Sequence, residues 1–427
     1  MKIVIVVDSW NKGNGCIVAS HRLVKELHLN GHEVTLVSTR GEEAMKFEGP
    51  FYELPGFYLP GTKESMKNMG FMWARGKKKT LRKAYEGADL VQVQLPFFVA
   101  RNAVRVAKKM NIPVMGACHI QSQNITGAMR TGNKLLNYLI NVWFNLELFK
   151  KVDAIHCPSE FAADLIKSKG SNAHFRVISN GIPKQYKPLT TLKRPESFED
   201  KFVLMNVGRH ALEKNQGIMI DAVLKSKYKD NIKLLICGKG ELTEKLRKQG
   251  EHLPVEPLVR YISDEEKYLY LNTADMYLHS SGVELESLSV LEAIGCGLPS
   301  LIENSPNSAT SMFALDDRLI FHTEKELTEK IDFWYENRAL LPELKKQTLL
   351  AAENYRIENS VISMVELYND VIQTHNGAKG LLPKKEKIIP YVRNAESTQK
   401  HLQDNETEVP GHKSRFRITF PRKRSGS

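Results

Sequence analysis

The chain has 427 residues, 61 Lys and Arg against 49 Asp and Glu, a formal net charge of +12 and a pI near 9.2. That length is too great for one ordinary core, so two domains are expected, and no apolar run reaches the roughly 18–20 residues that cross a bilayer. The five cysteines (Cys16, Cys118, Cys157, Cys237, Cys296) are scattered without a C-x-x-C pair, which argues against a zinc site or a disulfide framework and for a reducing compartment.

The N-terminal run KIVIVV, residues 2–7, has strand length and is interrupted at Asp8, which makes it a first strand rather than a signal peptide. Asp8 to Gly15 reads as a loop with Gly13 and Gly15. A helical pattern follows (Ile17, Val18, Leu23, Val24, Leu27), stops near Gly31, and gives way to the strand HEVTLVST. Strand, glycine loop, helix, strand opens a doubly wound α/β sheet. DLVQVQ, PVMGACHI and AIHCPS continue it, and RVISNG closes a first domain over residues 1–184. The polar stretch 185–200, with Pro188 and Pro195, reads as a linker. A second domain over 201–352 repeats the architecture with KFVLMNVGR, IMIDAVLKSKY, KLLICGKG, ELTEKLRKQG, ADMYLHSS, LEAIGCG and PSLIEN. Residues 353–376 form a terminal helix. From Lys379 onward, 12 Lys/Arg stand against 5 Asp/Glu, a net of +7 in a segment without apolar periodicity, so 377–427 is expected to be a disordered basic tail.

The most informative segment is VELESLSVLEAIGCGLPS, residues 283–300. Glu284 and Glu292 stand eight positions apart, the first in a loop after an apolar run, the second in the first turn of the following helix. Carboxylates so placed can face one crevice at the carboxyl ends of parallel strands and accept hydrogen bonds from hydroxyl groups. Ser289-Val290-Leu291-Glu292 also reads as an S-x-x-E capping box. The E-x7-E spacing, with EA and a G-x-P behind it, resembles the retaining family-4 glycosyltransferases, over roughly residues 1–370.

That resemblance implies the GT-B fold: two Rossmann-like domains facing a central cleft, with the last helix crossing back to the first domain. It implies a nucleotide-diphosphate sugar, UDP being the commonest base in the family, as co-substrate, with no further cofactor. Arg209 and Lys214 in GRHALEK match the family's phosphate-binding cations, and such charge can serve in place of a metal on the departing diphosphate. No Asp-x-Asp is present, and no metal site is expected. Glu292 would hold the donor ribose and Glu284 the transferred sugar. Gly13, Gly15, Gly208, Gly238, Glu286, Ser287 and Leu288 complete the implied donor site. The family commonly reads E-G-F-G-L where this chain reads E-L-E-S-L, so Glu286 either selects a sugar or faces water. His119, after PVMGACHI, matches a first-domain histidine near the sugar, Gln121 and Asn124 are acceptor-side candidates, and Asn180-Gly181 matches the interdomain hinge. The implied chemistry is a same-face, SNi-like substitution in which a phosphate oxygen takes the acceptor proton.

Residues 63–83 interleave Met66, Met69, Phe71, Met72 and Trp73 with Lys77, Lys78, Lys79, Arg82 and Lys83, a composition that can lie on an anionic membrane. With the basic tail it sets the expected partners: a nucleotide sugar, an acceptor glycan or lipid, an anionic membrane surface, and no nucleic acid. The expected place is the cytoplasm, peripheral on the inner face of the cell membrane if the membrane reading holds. KLLNYLINVWFNLELFKK, residues 134–151, is a second apolar stretch with basic ends, which reads as a buried helix or, like 63–83, as a segment that meets a membrane. The competing readings are an epimerase or phosphorylase of the same fold, a nucleic-acid-binding protein, or a non-catalytic sugar binder.

Overall fold

The computed structural model describes residues 1–377 apart from 12, 42–43, 69, 129–130, 132 and 172. The basic tail expected from 377 onward lies outside the described residues, save for Gly377 itself.

Among the described residues the first half carries nine strands, β1 (Lys2–Ser9), β2 (Glu33–Thr39), β3 (Phe51–Glu53), β4 (Gly56–Phe57), β5 (Trp73–Ala74), β6 (Leu90–Val93), β7 (Val114–Ala117), β8 (Ala154–Cys157) and β9 (His174–Val177). Seven form one parallel sheet in the order β3-β2-β1-β6-β7-β8-β9, while β4 and β5 make a small antiparallel pair. β1 is buried along all but its first residue, as a strand covered on both faces of a parallel sheet must be. It runs on through Ser9, so Asp8 lies inside the strand and fully buried, not in the expected loop. Asn14 caps the first helix (Gly15–Leu29) by accepting from the Cys16 N–H, and Gly31, with φ of 76°, ends it.

The second half contains β10 (Phe202–Val207), β11 (Ile232–Cys237), β12 (Leu258–Arg260), β13 (Met276–His279), β14 (Val283–Glu284), β15 (Ser300–Glu303), β16 (Asn307–Ser308) and β17 (Ile320–Phe321). Its parallel sheet has the order β12-β11-β10-β13-β15-β17, and β14 pairs with β16 apart from it. Each sheet has its own apolar core.

The chain passes between the cores at two adjoining places. Ile178 belongs to the first core and Ile182 to the second. Gly181 between them has φ of 81°, and a Cβ there would stand 2.6 Å from Ile357 Cα. Ile182 N–H donates to Tyr355 C=O at 2.7 Å, and Ile357 N–H to Ile182 C=O at 3.1 Å. The helix Ile357–His375 then returns to the first domain, where Met364, Leu367, Tyr368 and Val371 join its core and Arg176 pairs with Asp370 at 3.0 Å. Residues 185–200 are strapped to the second domain: Phe198 is part of its core, and Arg194 binds Asp275 at 2.8 Å.

Two surface expectations change. In 63–83 the apolar side chains turn inward, with Phe71 buried and Met66 and Trp73 packed on the first core, while Lys77, Lys78 and Lys79 are exposed; Met69 lies outside the described residues. The segment 134–151 is not a buried helix. It forms the helix Lys134–Phe144 and a wide turn, Asn145–Phe149, with one apolar side left in solvent. An apolar composition told of burial somewhere, but apolar residues also lie on its outer face.

Candidate active site

In the second sheet the strand order reverses between β10 and β13, and ligands of such sheets bind outside the carboxyl ends of the strands at that point. Gly208 and Arg209 leave β10, Gly238 leaves β11, and Ser280 to Glu284 leave β13. A Cβ on Gly238 would stand 1.9 Å from Gly208 C=O, so glycine is what lets these two loops stack.

Lys214 ends a short 3-10 turn (Leu212–Lys214), and its Nζ is ion-paired with Glu284 Oε1. Arg209 pairs with Glu213 at 2.5 Å. The loops are knitted together by Ser280 Oγ donating to Lys214 C=O at 2.8 Å and Gly282 N–H to Glu213 C=O at 3.1 Å. Glu284 belongs to the short strand β14, held against Asn307–Ser308, rather than to a free loop. His279 Nε2 lies 4.0 Å from Glu284 Oε1; burial, with Lys214 adding to it, pushes its pKa down to about 3, so the ring is neutral.

The helix Leu288–Gly295 begins two residues earlier than a cap at Ser289 would place it. Ser287 Oγ accepts from Val290 N–H at 3.4 Å, so the expected Ser289–Glu292 capping box does not form and Glu292 sits in the second turn, not the first. Glu292 is ion-paired with Arg22 of the first helix and lies 3.3 Å from Lys267. Burial works against the Lys267 charge, and Glu292 with Tyr186 more than offsets it, holding the ammonium above its ordinary range.

The E-L-E-S-L variation has a packing explanation. Leu285 is buried in the core of the first domain, and its C=O accepts from Ser159 Oγ at 2.6 Å. Glu286 does not face water: it is 8% exposed, and its Oε2 accepts from Asn180 N–H at 2.9 Å and Asn180 Nδ2 at 2.6 Å. Burial raises its pKa to about 7 against the hydrogen bonds from Ser179 and Asn180. Ser287 supplies the cap, and Leu288 opens the helix.

Across the cleft, His119 lies just beyond β7, its Nε2 3.1 Å from Gln94 Oε1 and its ring 5.5 Å from His156. Burial, with His156 adding, pushes its pKa down to about 3. A small cavity behind it is lined by Ser20, Gln94, His156 and Asn180 with Ser360 and Met364 of the crossover helix. Gln121 Nε2 donates to Asn307 C=O at 3.1 Å, joining the two domains, while Asn124 Oδ1 accepts from Gln121 N–H and so serves the turn. Gly13 has φ of 106°, and Gly15 is the first helical residue, with nothing within 4 Å of where a Cβ would stand.

Arg22, Ser159, Lys267, His279 and Asn307 are brought to this cleft without a sequence signal that marks them, since each owes its place to the meeting of distant elements. Among the described residues no group of three or more His, Cys, Asp or Glu could hold a metal ion, and no helix is long and apolar enough to cross a membrane.

Residues 14–186 match the family model described as Glycosyltransferase Family 4, and residues 190–353 that described as Glycosyl transferases group 1. The chain is 25% identical over 415 residues to an alpha-monoglucosyldiacylglycerol synthase of Streptococcus pneumoniae, covering 89% of this chain and 88% of that protein. It is 24% identical over 390 residues to the protein of the same name from Acholeplasma laidlawii, covering 85% and 95%. Among solved structures, Anabaena HepE in complex with UDP and glucose aligns with a TM-score of 0.64 at 14% identity, covering 86% of this chain and 99% of that one. WaaG, of lipopolysaccharide biosynthesis, aligns at 0.62 and 14%, covering 88% and 100%. At that identity the structures establish a common fold.

Proposed function

Because the chain belongs to the glycosyltransferases, its first half of family 4 and its second of group 1, in a GT-B fold, we propose that it moves a hexose, with retention, from a nucleotide-diphosphate sugar to a hydroxyl of a membrane lipid. The observation that carries this reading is the placement of Lys214 and Arg209 after β10 and of Glu284 after β13, at the switch point of the second sheet and opposite His119 and Gln121.

Arg209 and Lys214 stabilise the departing diphosphate, where preorganised charge acts on what develops in the transition state. Each is held now by a carboxylate, so donor phosphate replaces Glu213 and Glu284 as the counter-charge, which frees Glu284 for the sugar hydroxyls. Glu292 accepts from the ribose hydroxyls, held in place by Arg22 and Lys267. His119 is neutral and gives the sugar a hydrogen bond rather than a proton. The acceptor oxygen bonds to the anomeric carbon on the face from which phosphate leaves, the C–O bond to phosphate breaks, and the acceptor proton passes to the leaving phosphate oxygen. The two cations meet the charge of that step, so activity is expected to persist in EDTA.

The lipid class is supported by the two diacylglycerol-acting relatives, and UDP-glucose is the first donor to try because HepE carries UDP and glucose. The place of action is the cytoplasm, peripheral on the inner face of the cell membrane, where a nucleotide sugar and a lipid meet. The test is calorimetric titration of a nucleotide-sugar panel into wild type and Glu292→Ala, followed by transfer to diacylglycerol in mixed micelles. One donor should bind saturably, weaken about 10–100-fold in the variant, and give an α-linked product. A folded protein that binds no nucleotide sugar overturns the reading.

A further inference from the structure

The helix Lys134–Phe144 and the turn Asn145–Phe149 bury Asn141, Phe144, Leu148 and Phe149 against the first domain. On the opposite side Leu135, Tyr138, Leu139, Val142 and Leu146 are 65%, 59%, 53%, 36% and 51% exposed. The first four fall within an arc of about 100° at 3.6 residues per turn, and Leu146 continues the stripe. A helix apolar on all sides is ordinarily covered on all sides, and a contiguous exposed apolar patch marks an interaction surface.

The charges around the stripe have one sign. Lys134 and Lys150 are exposed at its two ends, and the one acid between residues 131 and 151, Glu147, is buried and clamped by Arg101 at 2.5 and 2.9 Å. Aromatic contacts carry the surface sideways: Trp143 lies 5.4 Å from Phe98, itself 39% exposed, and Phe98 lies 5.8 Å from Trp73 and 5.3 Å from Phe57. Exposed Arg75, Lys77, Lys78 and Lys79 follow that hairpin.

We propose that this face seats the protein on an anionic lipid bilayer, with the five apolar side chains at the headgroup–acyl boundary and Lys134 and Lys150 on headgroup phosphates. Charge complementarity selects that occupant. A second copy would bring the same cationic rim against itself, since a two-fold contact is self-facing, and the chain's own tail is also basic, at +7 from 12 Lys/Arg and 5 Asp/Glu. The face is coupled to the cleft. Asn141 Nδ2 donates to Ser122 Oγ at 3.0 Å and Thr126 Oγ1 to Asn137 Oδ1 at 2.9 Å, which fix the helix to Ser122–Ala128, the helix directly after Gln121. A bilayer at this face lies one helix away from the acceptor side. The inference rests on the lipid-acceptor reading for its purpose, not for its geometry.

The experiment is flotation of the full chain with phosphatidylcholine vesicles, with and without phosphatidylglycerol, in the absence of donor. Wild type is compared with Leu135→Ser/Leu139→Ser/Val142→Ser and with Lys134→Glu/Lys150→Glu, and thermal midpoints check folding. Wild type should bind the anionic vesicles. The apolar variant should bind at least about tenfold more weakly at an unchanged or higher midpoint, and the charge variant should lose its preference for phosphatidylglycerol. Wild-type indifference to vesicles overturns the proposal. So does equal binding by the apolar variant, or a dimer in sedimentation that the apolar variant dissolves with vesicle binding intact. Vesicle binding through this face without sugar transfer to lipid would leave the docking standing and sink the acceptor reading. Transfer in micelles without vesicle binding would do the reverse.

Discussion

Arg22 and Glu292 are 270 residues apart and form an ion pair between the two domains, their side chains only 11% and 7% exposed. Water screens such a pair poorly, so it differs from a surface salt bridge, and removing one partner leaves a shielded charge behind. Lys267, 3.3 Å from Glu292, limits the damage. Arg22→Met should therefore cost about 1–3 kcal/mol rather than the full value of an orphaned buried carboxylate. Arg22→Met/Glu292→Gln should cost less than the sum of its single changes, as measured by urea unfolding. Strict additivity would mean that the pair contributes no coupling.

Lys214 should matter to turnover more than to binding. Lys214→Ala should lower kcat by about 10²–10³-fold, the size found for removing one preorganised charge-stabilising donor, with a smaller change in donor KM. Arg209→Ala should act in the same direction. Steady-state kinetics decide the matter, and a loss below tenfold for Lys214→Ala would assign the phosphate to other groups.

Glu286 makes stability depend on pH. Its folded pKa, about 7, lies above the 4.5 ordinary for a glutamate. The folded state therefore binds the extra proton between those values, and its contribution is complete below about 4.5 and lost as pH rises through 7. The full swing is on the order of 3 kcal/mol. Glu286→Gln keeps an acceptor for Asn180 without the charge. Its thermal midpoint should match wild type near pH 5 and exceed it near pH 8. A gap that does not widen with pH would show that Glu286 stays ionised in the fold.

Two glycines at the cleft should respond oppositely to alanine. At Gly181 the φ of 81° and the 2.6 Å approach to Ile357 Cα leave no room, and hydrogen bonds between Ile182, Tyr355 and Ile357 hold the backbone there. Gly181→Ala should cost on the order of 2–3 kcal/mol. Gly15 opens a helix with free space around it, so Gly15→Ala should leave stability within about 1 kcal/mol of wild type. Any loss of donor affinity in Gly15→Ala, read by calorimetry, then belongs to the site.

Continuous apolar runs such as KIVIVV and KLLICG determine two doubly wound sheets, because strands covered on both faces need apolar side chains throughout. The E-x7-E segment follows β13, which ends at His279, so Glu284 lies just beyond the strand and Glu292 in the helix that comes after it. What the sequence alone could not decide was every relation between distant elements. Helix Leu288–Gly295 starts at Ser287 because that hydroxyl, and not Ser289, meets a free N–H. Glu286 is held in the interior by Asn180, which lies where the chain passes from the first domain to the second. Leu285 replaces a glycine because the first domain has a core for it. The helix Lys134–Phe144 is apolar on both sides, and composition cannot say which side the fold covers. Local periodicity is written in neighbouring residues. Arg22 reaches Glu292 only where the two domains meet, and Lys267 reaches it from another helix of the second domain, so both partners are decided by tertiary structure.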